Sequence, residues 1–407
     1  SGCGAGGSIW LDCQTFAGAN GSVNADGGTG AGYTSWSAGG GGGGRVAVQY
    51  GNLSGTPTVR ISAAAGRGVY EFQTSEAGLE AGLGTVYLSD TNLLSAIVNN
   101  LAGRLVISNT ASWSTPSLTV TNTTLAFNDN FTLNVAGDLV VAGTNTILLT
   151  GSNSQTMVGG AVRLQNTGRL ELQGDLTAGG NLALESGTNI LAVRGNMLLN
   201  CGGDFVLTNG GVAYFMNGKT NGVGRDYGIL ISVTGDMKMG SSSWIYPYSH
   251  FSDGGSCLFK MNNLIIPTNA GFNADYKGFN GAWSGGGYGA GAGTYWGGGA
   301  GYGGKGGKTS LSGSPGNPYG STNAPIHPGS GGGSHPNVPL PPRGGGSVRV
   351  EATGTVTLDG RITANGKMGG GWTTTMDSGC GSGGAIFIMC NALYGATNGV
   401  MSANGGS

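Results

Sequence analysis

The sequence predicts an all-β protein: a parallel β-helix, or β-solenoid, with one long inserted loop rich in glycine and aromatic residues. Three observations predict this fold. Short segments of alternating apolar residues recur along the chain. The two ends of the chain repeat one unit, as in solenoids, whose coils bury their inner faces only by stacking. No stretch combines a helical period with recognisable helix caps.

The composition excludes several classes of protein. Of 407 residues, 88 are glycine, and only 9% are charged, against about 25% in ordinary domains. The 18 basic and 19 acidic residues nearly cancel, so no basic face for nucleic acid is expected. No apolar run approaches the ~18 residues of a membrane span. The first residues do not form a signal peptide, which predicts either a removed leader or an excerpt of a longer protein.

The terminal repeat is the strongest signal in the sequence. Residues 1–19 read SGCGAGGSIWLDCQTFAGA and residues 378–396 read SGCGSGGAIFIMCNALYGA, with ten of nineteen positions identical. After a one-residue gap, VNADGG at 23–28 matches MSANGG at 401–406. Each unit is a glycine-rich approach, an alternating strand, and a second short strand that closes on an Ala-x-Gly corner. We interpret each unit as one coil of the solenoid.

Two looser copies of this coil lie inside the terminal pair, at Gly44–Val48 and at Gly346–Val350. Ile9 to Val46 is 37 residues and Val348 to Ile386 is 38, whereas for the β-helix as a whole we predict coils of roughly 20–24 residues. At about 4.8 Å of rise per coil, some 15 coils would form a rod roughly 70 Å long.

The chain divides by character into four segments. Residues 1–112 are N-terminal glycine-rich coils, and residues 113–276 form a central β-helix in which a Gly-(Asp/Asn)-apolar step recurs. Residues 277–346 are the Gly/aromatic/Pro-rich insert, without a strand pattern, which we expect to pack along the solenoid partly as extended glycine chain. Residues 347–407 are C-terminal coils that repeat the N-terminal unit.

A family resemblance rests on the glycine-rich segments. These are GGGGGGRVAVQY (39–50), AGYGGKGGK (300–308), HPGSGGG (327–333), GGGSVRVEATGTVTLDGRITANG (344–366) and GSGGAIFIMC (381–390). The combination resembles very large, secreted, glycine-rich β-helical surface proteins of bacteria, similar in style to autotransporter passengers and adhesin arrays. The resemblance covers about half of the chain and implies no catalytic residue. The cysteine pair in each terminal unit departs from that pattern.

The six cysteines predict disulfides in an oxidising compartment. They are Cys3, Cys13, Cys201, Cys257, Cys380 and Cys390. The glycine turns inside the terminal units would fold Cys3 onto Cys13 and Cys380 onto Cys390, leaving the central two to pair across coils. The alternative is an intermolecular bond from a terminal cysteine to the next subunit. Six cysteines allow 15 pairings, so the sequence alone does not decide.

Charged residues give one weak catalytic hypothesis. A polysaccharide lyase or hydrolase needs two or three carboxylates flanking the scissile bond. The best local set is Arg225 and Asp226, followed by Asp236 and Lys238, with Asp204 next. Charges this sparse are more typical of isolated, solvent-facing corner residues, so we expect no enzyme. Of the three histidines only His250 lies near a cysteine, Cys257, and no further ligand clusters there, so we expect no metal site and no cofactor.

The aromatic residues of the insert give a binding hypothesis. They are Trp283, Tyr288, Tyr295, Trp296 and Tyr302. Such rings stack on sugars, but they equally cover the apolar side of a solenoid or an interface. The low charge nearby favours packing or self-association over glycan recognition.

The leading functional hypothesis is an extracellular or cell-surface structural protein that stacks or repeats head to tail to build a filament or stalk. Its partner would be itself, as a homopolymer or tandem array, through the strands Ile9, Trp10 and Leu11 at one end and Ile386, Phe387 and Ile388 at the other. The alternatives are an adhesin or receptor-binding fibre that recognises surface glycans through the insert, and a polysaccharide-degrading enzyme.

Overall fold

A computed structural model of the chain describes residues 2–30, 39–66, 82–208, 210–220, 224–281, 285–308, 313–334, 342–370 and 378–407. This part of the chain contains 34 β-strands and no helix, and the pairings between these strands are parallel. The predicted fold class, a parallel β-helix, is confirmed. None of the described residues belongs to a helix that would cross a membrane.

The chain divides into two compact units, Ser1–Gly174 and Asp175–Ser407. The strands of the first unit are β1 (Ser8–Phe16), β2 (Ser22–Asn24), β3 (Arg45–Leu53), β4 (Arg60–Ser62), β5 (Thr85–Leu88), β6 (Ile97–Val98), β7 (Leu101–Ile107), β8 (Ser112–Thr115), β9 (Leu118–Thr121), β10 (Thr124–Phe127), β11 (Thr132–Val135), β12 (Leu139–Ala142), β13 (Ile147–Leu149), β14 (Gln155–Val158), β15 (Val162–Gln165) and β16 (Arg169–Leu172).

The strands of the second unit are β17 (Asp175–Ala178), β18 (Leu182–Ser186), β19 (Ile190–Gly195), β20 (Leu198–Cys201), β21 (Phe205–Leu207), β22 (Val212–Asn217), β23 (Leu230–Val233), β24 (Met237–Met239), β25 (Trp244–Tyr248), β26 (Leu258–Met261), β27 (Leu264–Ile266), β28 (Gly271–Asn273), β29 (Ser347–Ala352), β30 (Thr355–Leu358), β31 (Arg361–Thr363), β32 (Ala385–Met389), β33 (Ala392–Tyr394) and β34 (Val400–Ser402).

Successive strands of the second unit fall in turn into three sheets, so that three strands make one triangular coil. The sheet orders are β17-β20-β23-β26-β29-β32, β18-β21-β24-β27-β30-β33 and β19-β22-β25-β28-β31-β34. In the first unit the sheets are β1-β3-β5-β7-β10-β13-β16, β8-β11-β14 and β6-β9-β12-β15, and β2 pairs with β4, which pairs with β7. Each coil therefore rests on its neighbour through parallel hydrogen bonds.

The core is the stack of inward-facing side chains, which alternate with half-buried or exposed ones along most strands. The largest fully buried side chains include Phe127 in the first unit and Phe205, Phe215, Phe259 and Phe272 in the second. Phe259 packs edge-to-face on Phe215 at 5.4 Å between ring centroids, and on Phe272 at 5.1 Å. Such pairs add stabilisation beyond the burial of their area.

The predicted coil length holds only in the centre of the chain. Ser112 pairs with Thr132, and Thr132 with Gln155, so a coil there takes 20–23 residues. At the ends the coils are longer. Ser8 pairs with Arg45, which pairs with Thr85, because glycine-rich segments are added to each coil.

The added glycine segments of the first unit pack as a bundle and not as a sheet. The segment 39–44 bonds to four other segments, whereas a β-strand bonds to at most two. Its hydrogen bonds are Cys3 N–H to Gly39 O (3.1 Å), Gly41 N–H to Gly28 O (2.9 Å), Gly66 N–H to Gly41 O (2.8 Å) and Gly43 N–H to Gly82 O (3.0 Å). Bonds that radiate in several directions are typical of side-by-side polyproline-II-type chains.

The insert of the second unit continues the same kind of packing. Between Asn273 and Ser347 the described residues contain no strand, only one isolated bridge between Gly285 and Ser334. Its segments are joined by Gly293 N–H to Gly331 O (3.1 Å), Gly332 N–H to Pro342 O (3.0 Å), Ala300 N–H to Cys380 O (2.9 Å) and Gly379 N–H to Gly333 O (2.9 Å). The insert is thus bonded to the last coil.

Candidate assembly interface

The first and last coils have the same structure as well as the same sequence. In the first coil, Gly28 N–H donates to Gly4 O at 3.0 Å, and in the last, Gly406 N–H donates to Gly381 O at 2.9 Å. These four residues occupy matching positions of the terminal repeat. Strand β1 corresponds to β32 and β33 together, and β2 corresponds to β34.

Both coils have a strand neighbour on one side only within the described residues. β1 pairs with β3 and β2 with β4, while β32, β33 and β34 pair with β29, β30 and β31. A strand edge of this kind offers N–H and C=O groups to a further strand. The predicted assembly strands at Ile9–Leu11 and Ile386–Ile388 therefore lie on the first coil of the first unit and on the last coil of the second unit.

The inward-facing side chains of these coils are only partly covered. In β1, Ile9 is half-buried, whereas its register partner Val46 in β3 is 1% exposed. In β32, Ile386 is half-buried, and its partner Val348 in β29 is 0% exposed. One more coil on each of these edges would bury the same side chains fully.

The outer edges carry exposed apolar side chains and almost no charge. Trp10 is 71% exposed at one end. At the other end the exposed residues are Met389, Leu393, Tyr394, Val400 and Met401. Asp12 is the only charged residue in β1, β2, β32, β33 and β34, and none of these strands contains proline. Proteins usually protect open edges with lysine, proline or bulges, so these edges are suited to pairing.

Corners that contain an alanine, two of them of the Ala-x-Gly form, bond glycine-rich coils to one another by a repeated pattern. The glycine N–H before a strand donates to the alanine carbonyl of the preceding coil. The pairs are Gly44 to Ala25 (2.7 Å), Gly84 to Ala63 (2.9 Å), Gly346 to Ala274 (2.6 Å) and Gly384 to Ala364 (2.8 Å). The equivalent carbonyl of the last coil belongs to Ala403, and the equivalent N–H of the first coil to Gly7.

A side-chain ladder runs along the same corners. The Oδ1 atoms of three residues each accept a backbone N–H of the following coil: Asp26 from Ala64 (2.7 Å), Asp275 from Asn365 (2.7 Å) and Asn365 from Asn404 (2.8 Å). Asn404 occupies the next position of the ladder. Sequence reasoning missed Ala403 and Asn404 as interface residues, although the recurring Ala-(Asp/Asn)-Gly step contained the signal.

The expected disulfides within the terminal units are wrong, since Cys3, Cys13, Cys380 and Cys390 are all unpaired thiols. The glycines after Cys3 form no reversing turn, and the chain continues extended into β1. Cys13 therefore lies about 17 Å beyond Ser8, the first residue of that strand. A disulfide requires two Cα atoms within about 7 Å. Residues 380–390 repeat this extended path into β32.

The expected bond between Cys201 and Cys257 is also wrong, because both are unpaired and buried. Cys201 pairs in register with Val233, whereas Cys257 lies just before Leu258, the partner of Leu230. The two thiols are thus two coils apart and four residues apart along the strand, roughly 16 Å. The Sγ of Cys257 accepts a hydrogen bond from Asn217 Nδ2 at 3.0 Å.

Three of the five charged candidates form one cluster on neighbouring coils. Lys238 Nζ lies 2.7 Å from Asp204 Oδ2 and 3.3 Å from Asp236 Oδ2. The hydrogen bond from Lys238, with the N–H of Asp236, lowers the pKa of Asp204. Burial would raise the pKa of Asp236, but hydrogen bonds from Asn263, Lys238 and Asn262 outweigh it and the pKa is lowered. A general acid needs a raised carboxyl pKa, so this cluster does not fit that role.

The other two charged candidates lie apart from that cluster. Asp226 pairs with Arg349 at 2.8 Å, and Arg349 also binds Glu351 at 2.9 Å. The guanidinium of Arg225 donates to the Gly228 carbonyl at 3.0 Å and lies 5.1 Å from the ring centroid of Tyr227. Among the residues with described positions, no group of three His, Cys, Asp or Glu is arranged to hold a metal ion.

The aromatic residues of the insert do not form one platform. Trp283 lies outside the described residues. Tyr288 is 46% exposed and meets Phe251, itself 50% exposed, edge to face at 6.3 Å. Tyr295 contacts Trp296, and the half-buried Tyr302 contacts the half-buried ring of Tyr319. Tyr302 and Tyr319 act in packing, and Tyr288 with Phe251 forms the one aromatic pair exposed on both rings in the described part of the insert and its surroundings.

Comparison of the chain with protein-family models, with curated proteins and with solved structures finds no significant match.

Proposed function

We propose that this chain is a structural β-solenoid unit that builds a longer fibre by placing a coil of the first type on a coil of the last type. The observation that carries the proposal is the equivalence of the two outermost coils in sequence and in hydrogen bonding, Gly28 to Gly4 and Gly406 to Gly381. Because each coil is built to rest on an equivalent coil, the last accepts the first as its next neighbour.

The side chains on the open strand edges favour the addition of a further coil. Stacking would bury Ile9, Leu11, Ile386 and Ile388, which are half-buried in one chain. Each would gain roughly half of the 1.5–3 kcal/mol that full burial of an aliphatic side chain provides. The low charge of the edges adds little desolvation cost.

The proposed location is extracellular or at a cell surface. The low charge, the high glycine content and the resemblance to secreted glycine-rich β-helical proteins support it. A fibre or stalk is the form that follows from head-to-tail contacts, since a heterologous interface that does not close generates an open filament.

Electron microscopy of the purified chain tests the proposal. We expect filaments whose width matches one solenoid. Ile386→Asp places a carboxylate in the joint and should leave folded single units, because this side chain is only half-buried within one chain. Ile265→Asp is the matched control, since Ile265 is 38% exposed on the outer face of β27 and away from both edges. Filaments of the Ile386→Asp protein, or single units of the unaltered protein at high concentration, would refute stacking.

A second candidate function is glycan binding through the exposed pair Tyr288 and Phe251. A glycan array probed with the unaltered chain and with Tyr288→Ala tests it, and binding lost in the variant would support an adhesin. Removing the whole insert would not test glycan binding alone, because the N–H groups of Gly329 and Gly332 donate to the carbonyls of Gly345 and Pro342, which lead into β29.

Hydrolysis of acidic polysaccharides, lost on Asp226→Ala, would instead support the enzyme hypothesis.

A further inference from the structure

We infer that two copies of this chain join in one register, in which Cys13 of one copy lies beside Cys390 of the other and the two form an intermolecular disulfide. The inference rests on the proposed head-to-tail stacking and adds to it the register and the covalent bond.

The register follows from how coils pair within the chain. Equivalent positions of adjacent coils are direct partners, as with Ile9 and Val46 at one end and Val348 and Ile386 at the other. The terminal repeat makes Ile9 equivalent to Ile386. In the joint, Ile9 of one copy therefore pairs with Ile386 of the other, and Leu11 with Ile388. A shift by one residue would turn the inward side chains outward.

The corners favour the same register independently. In it, Gly7 N–H of one copy reaches Ala403 O of the other, which continues the bonds that end with Gly384 to Ala364. The Oδ1 of Asn404 accepts the N–H of Asp26, as Asn365 Oδ1 accepts that of Asn404 within one chain. Both the backbone series and the side-chain ladder then run through the joint without interruption.

This register places Cys13 of one copy beside Cys390 of the other. Cys13 lies four residues after Ile9 in β1, and Cys390 lies four residues after Ile386, one residue beyond the end of β32. Both cysteines are half-buried and continue the inward-facing positions of Ile9 and Ile386. Neighbouring parallel strands place register partners about 4.8 Å apart, within the 4.4–6.8 Å between Cα atoms that a disulfide spans. Within one chain the partner of Cys13 is Tyr50, so the thiol has no disulfide partner on its own side.

The aromatic residues in the joint are compatible with the same register. Trp10 would lie over Phe387 on the outer face, as Tyr214 lies over Tyr246 on adjacent coils at 5.1 Å between centroids. The same register places Cys3 of one copy beside Cys380 of the other, within the glycine-rich segments. Both of these cysteines are half-buried, and they offer a second link.

The bond forms by thiol–disulfide exchange with a small disulfide such as oxidised glutathione. The thiolate of Cys13 attacks the small disulfide and releases one small thiol, leaving a mixed disulfide. The thiolate of Cys390 then attacks the mixed disulfide and releases the second. Two protein thiols lose two protons and two electrons, and the small disulfide is reduced to two thiols.

The test uses the full chain in a Cys3→Ser, Cys380→Ser background, so that Cys13 and Cys390 are the remaining thiols that are not buried; Cys201 and Cys257 lie in the core. With oxidised glutathione, we expect a ladder of covalent multimers on a non-reducing gel and a peptide that links Cys13 to Cys390 by mass spectrometry. Adding Cys13→Ser or Cys390→Ser should give monomers only. A mixture of these two variants should give covalent dimers and nothing larger, because only one joint retains both thiols.

Three outcomes would overturn the inference. Multimers formed by either single variant alone would mean that a different pair links the copies. Filaments by electron microscopy without the linked peptide would leave the stacking proposal standing and remove the register and the bond. If neither filaments nor links form, both proposals fail together.

Discussion

The side-chain oxygen of Asn217 accepts the backbone N–H of Ile229 at 2.8 Å in the interior of the second unit. The amide nitrogen of the same side chain donates to the Tyr248 carbonyl at 2.7 Å and to the Cys257 sulfur. Asn217 is 7% exposed and Ile229 is 0% exposed. One buried amide thus satisfies backbone groups where the chain leaves β22 and returns to the next coil.

Replacing Asn217 with alanine should lower the free energy of unfolding by about 2–3 kcal/mol, because it removes the side chain that accepts the buried N–H of Ile229 and donates to the Tyr248 carbonyl. The midpoint of urea unfolding, followed by circular dichroism, measures the loss. Asn134→Ala is the control, since its side chain makes only an exposed 3.3 Å contact with Ser114, and its effect should stay within about 0.5 kcal/mol. Equal midpoints for the two variants would contradict the assigned role.

Asp12→Pro should block assembly without unfolding the chain. Arg45 N–H bonds to Gly7 O, and alternate residues of a parallel strand bond to the same neighbour. Asp12 N–H therefore faces the outer edge of β1, where proline is tolerated within one chain but removes a donor from the joint. Sedimentation of Asp12→Pro against Asp12→Ala measures the effect. Assembly by both variants alike would show that β1 does not pair in the joint.

The six thiols should divide into two reactivity classes. Burial raises the pKa of Cys257 to about 12 and raises that of Cys201 as well, so few thiolates form at either site at pH 8. Maleimide labelling of single, reduced units should modify the half-buried Cys3, Cys13, Cys380 and Cys390 only. After denaturation in guanidinium, all six should react. Rapid native labelling of Cys257 would contradict its burial.

Acid should weaken the second unit through the cluster around Lys238. The folded state lowers the pKa of Asp204 and Asp236, so their contribution to stability is fully present above the ordinary aspartate value of about 3.9. It is lost as the pH falls through the lowered pKa values. The urea midpoint of the unaltered chain should therefore drop more between pH 5 and pH 2 than that of the Asp204→Asn, Asp236→Asn double variant. Parallel pH curves would contradict this linkage.

The sequence predicts the fold and the matching ends well, because both depend on pattern. Alternation at Val348 and Ile386 places these residues inward, and their offset is the observed strand register. The repetition of one unit at residues 1–19 and 378–396 indicates that both terminal coils are built to contact coils of the same kind. Alternation and repetition are both visible in a single sequence, without knowledge of contacts between distant residues.

The cysteine pairing was not predictable in the same way. The ten-residue spacing of Cys3 and Cys13 fits a local loop and equally fits an extended chain with its partner on another coil. The contacts of the glycines decide between these two paths: Gly4–Gly7 forms hydrogen bonds with the segments 25–28 and 39–44 and stays extended. That choice depends on contacts far along the chain, which sequence spacing does not contain.

The glycine bundle also restricts how this protein is able to evolve. A Cβ atom at Gly41 would overlap the carbonyl oxygen of Gly4, and one at Gly383 would overlap that of Ala403. Most single-codon changes at such positions are therefore harmful, whichever amino acid they introduce. Duplicating or deleting a complete glycine-rich coil adds no Cβ atom to such a contact, because each of these coils carries its own glycines. Lineages carrying this chain should differ in coil number more readily than in the composition of their glycine segments.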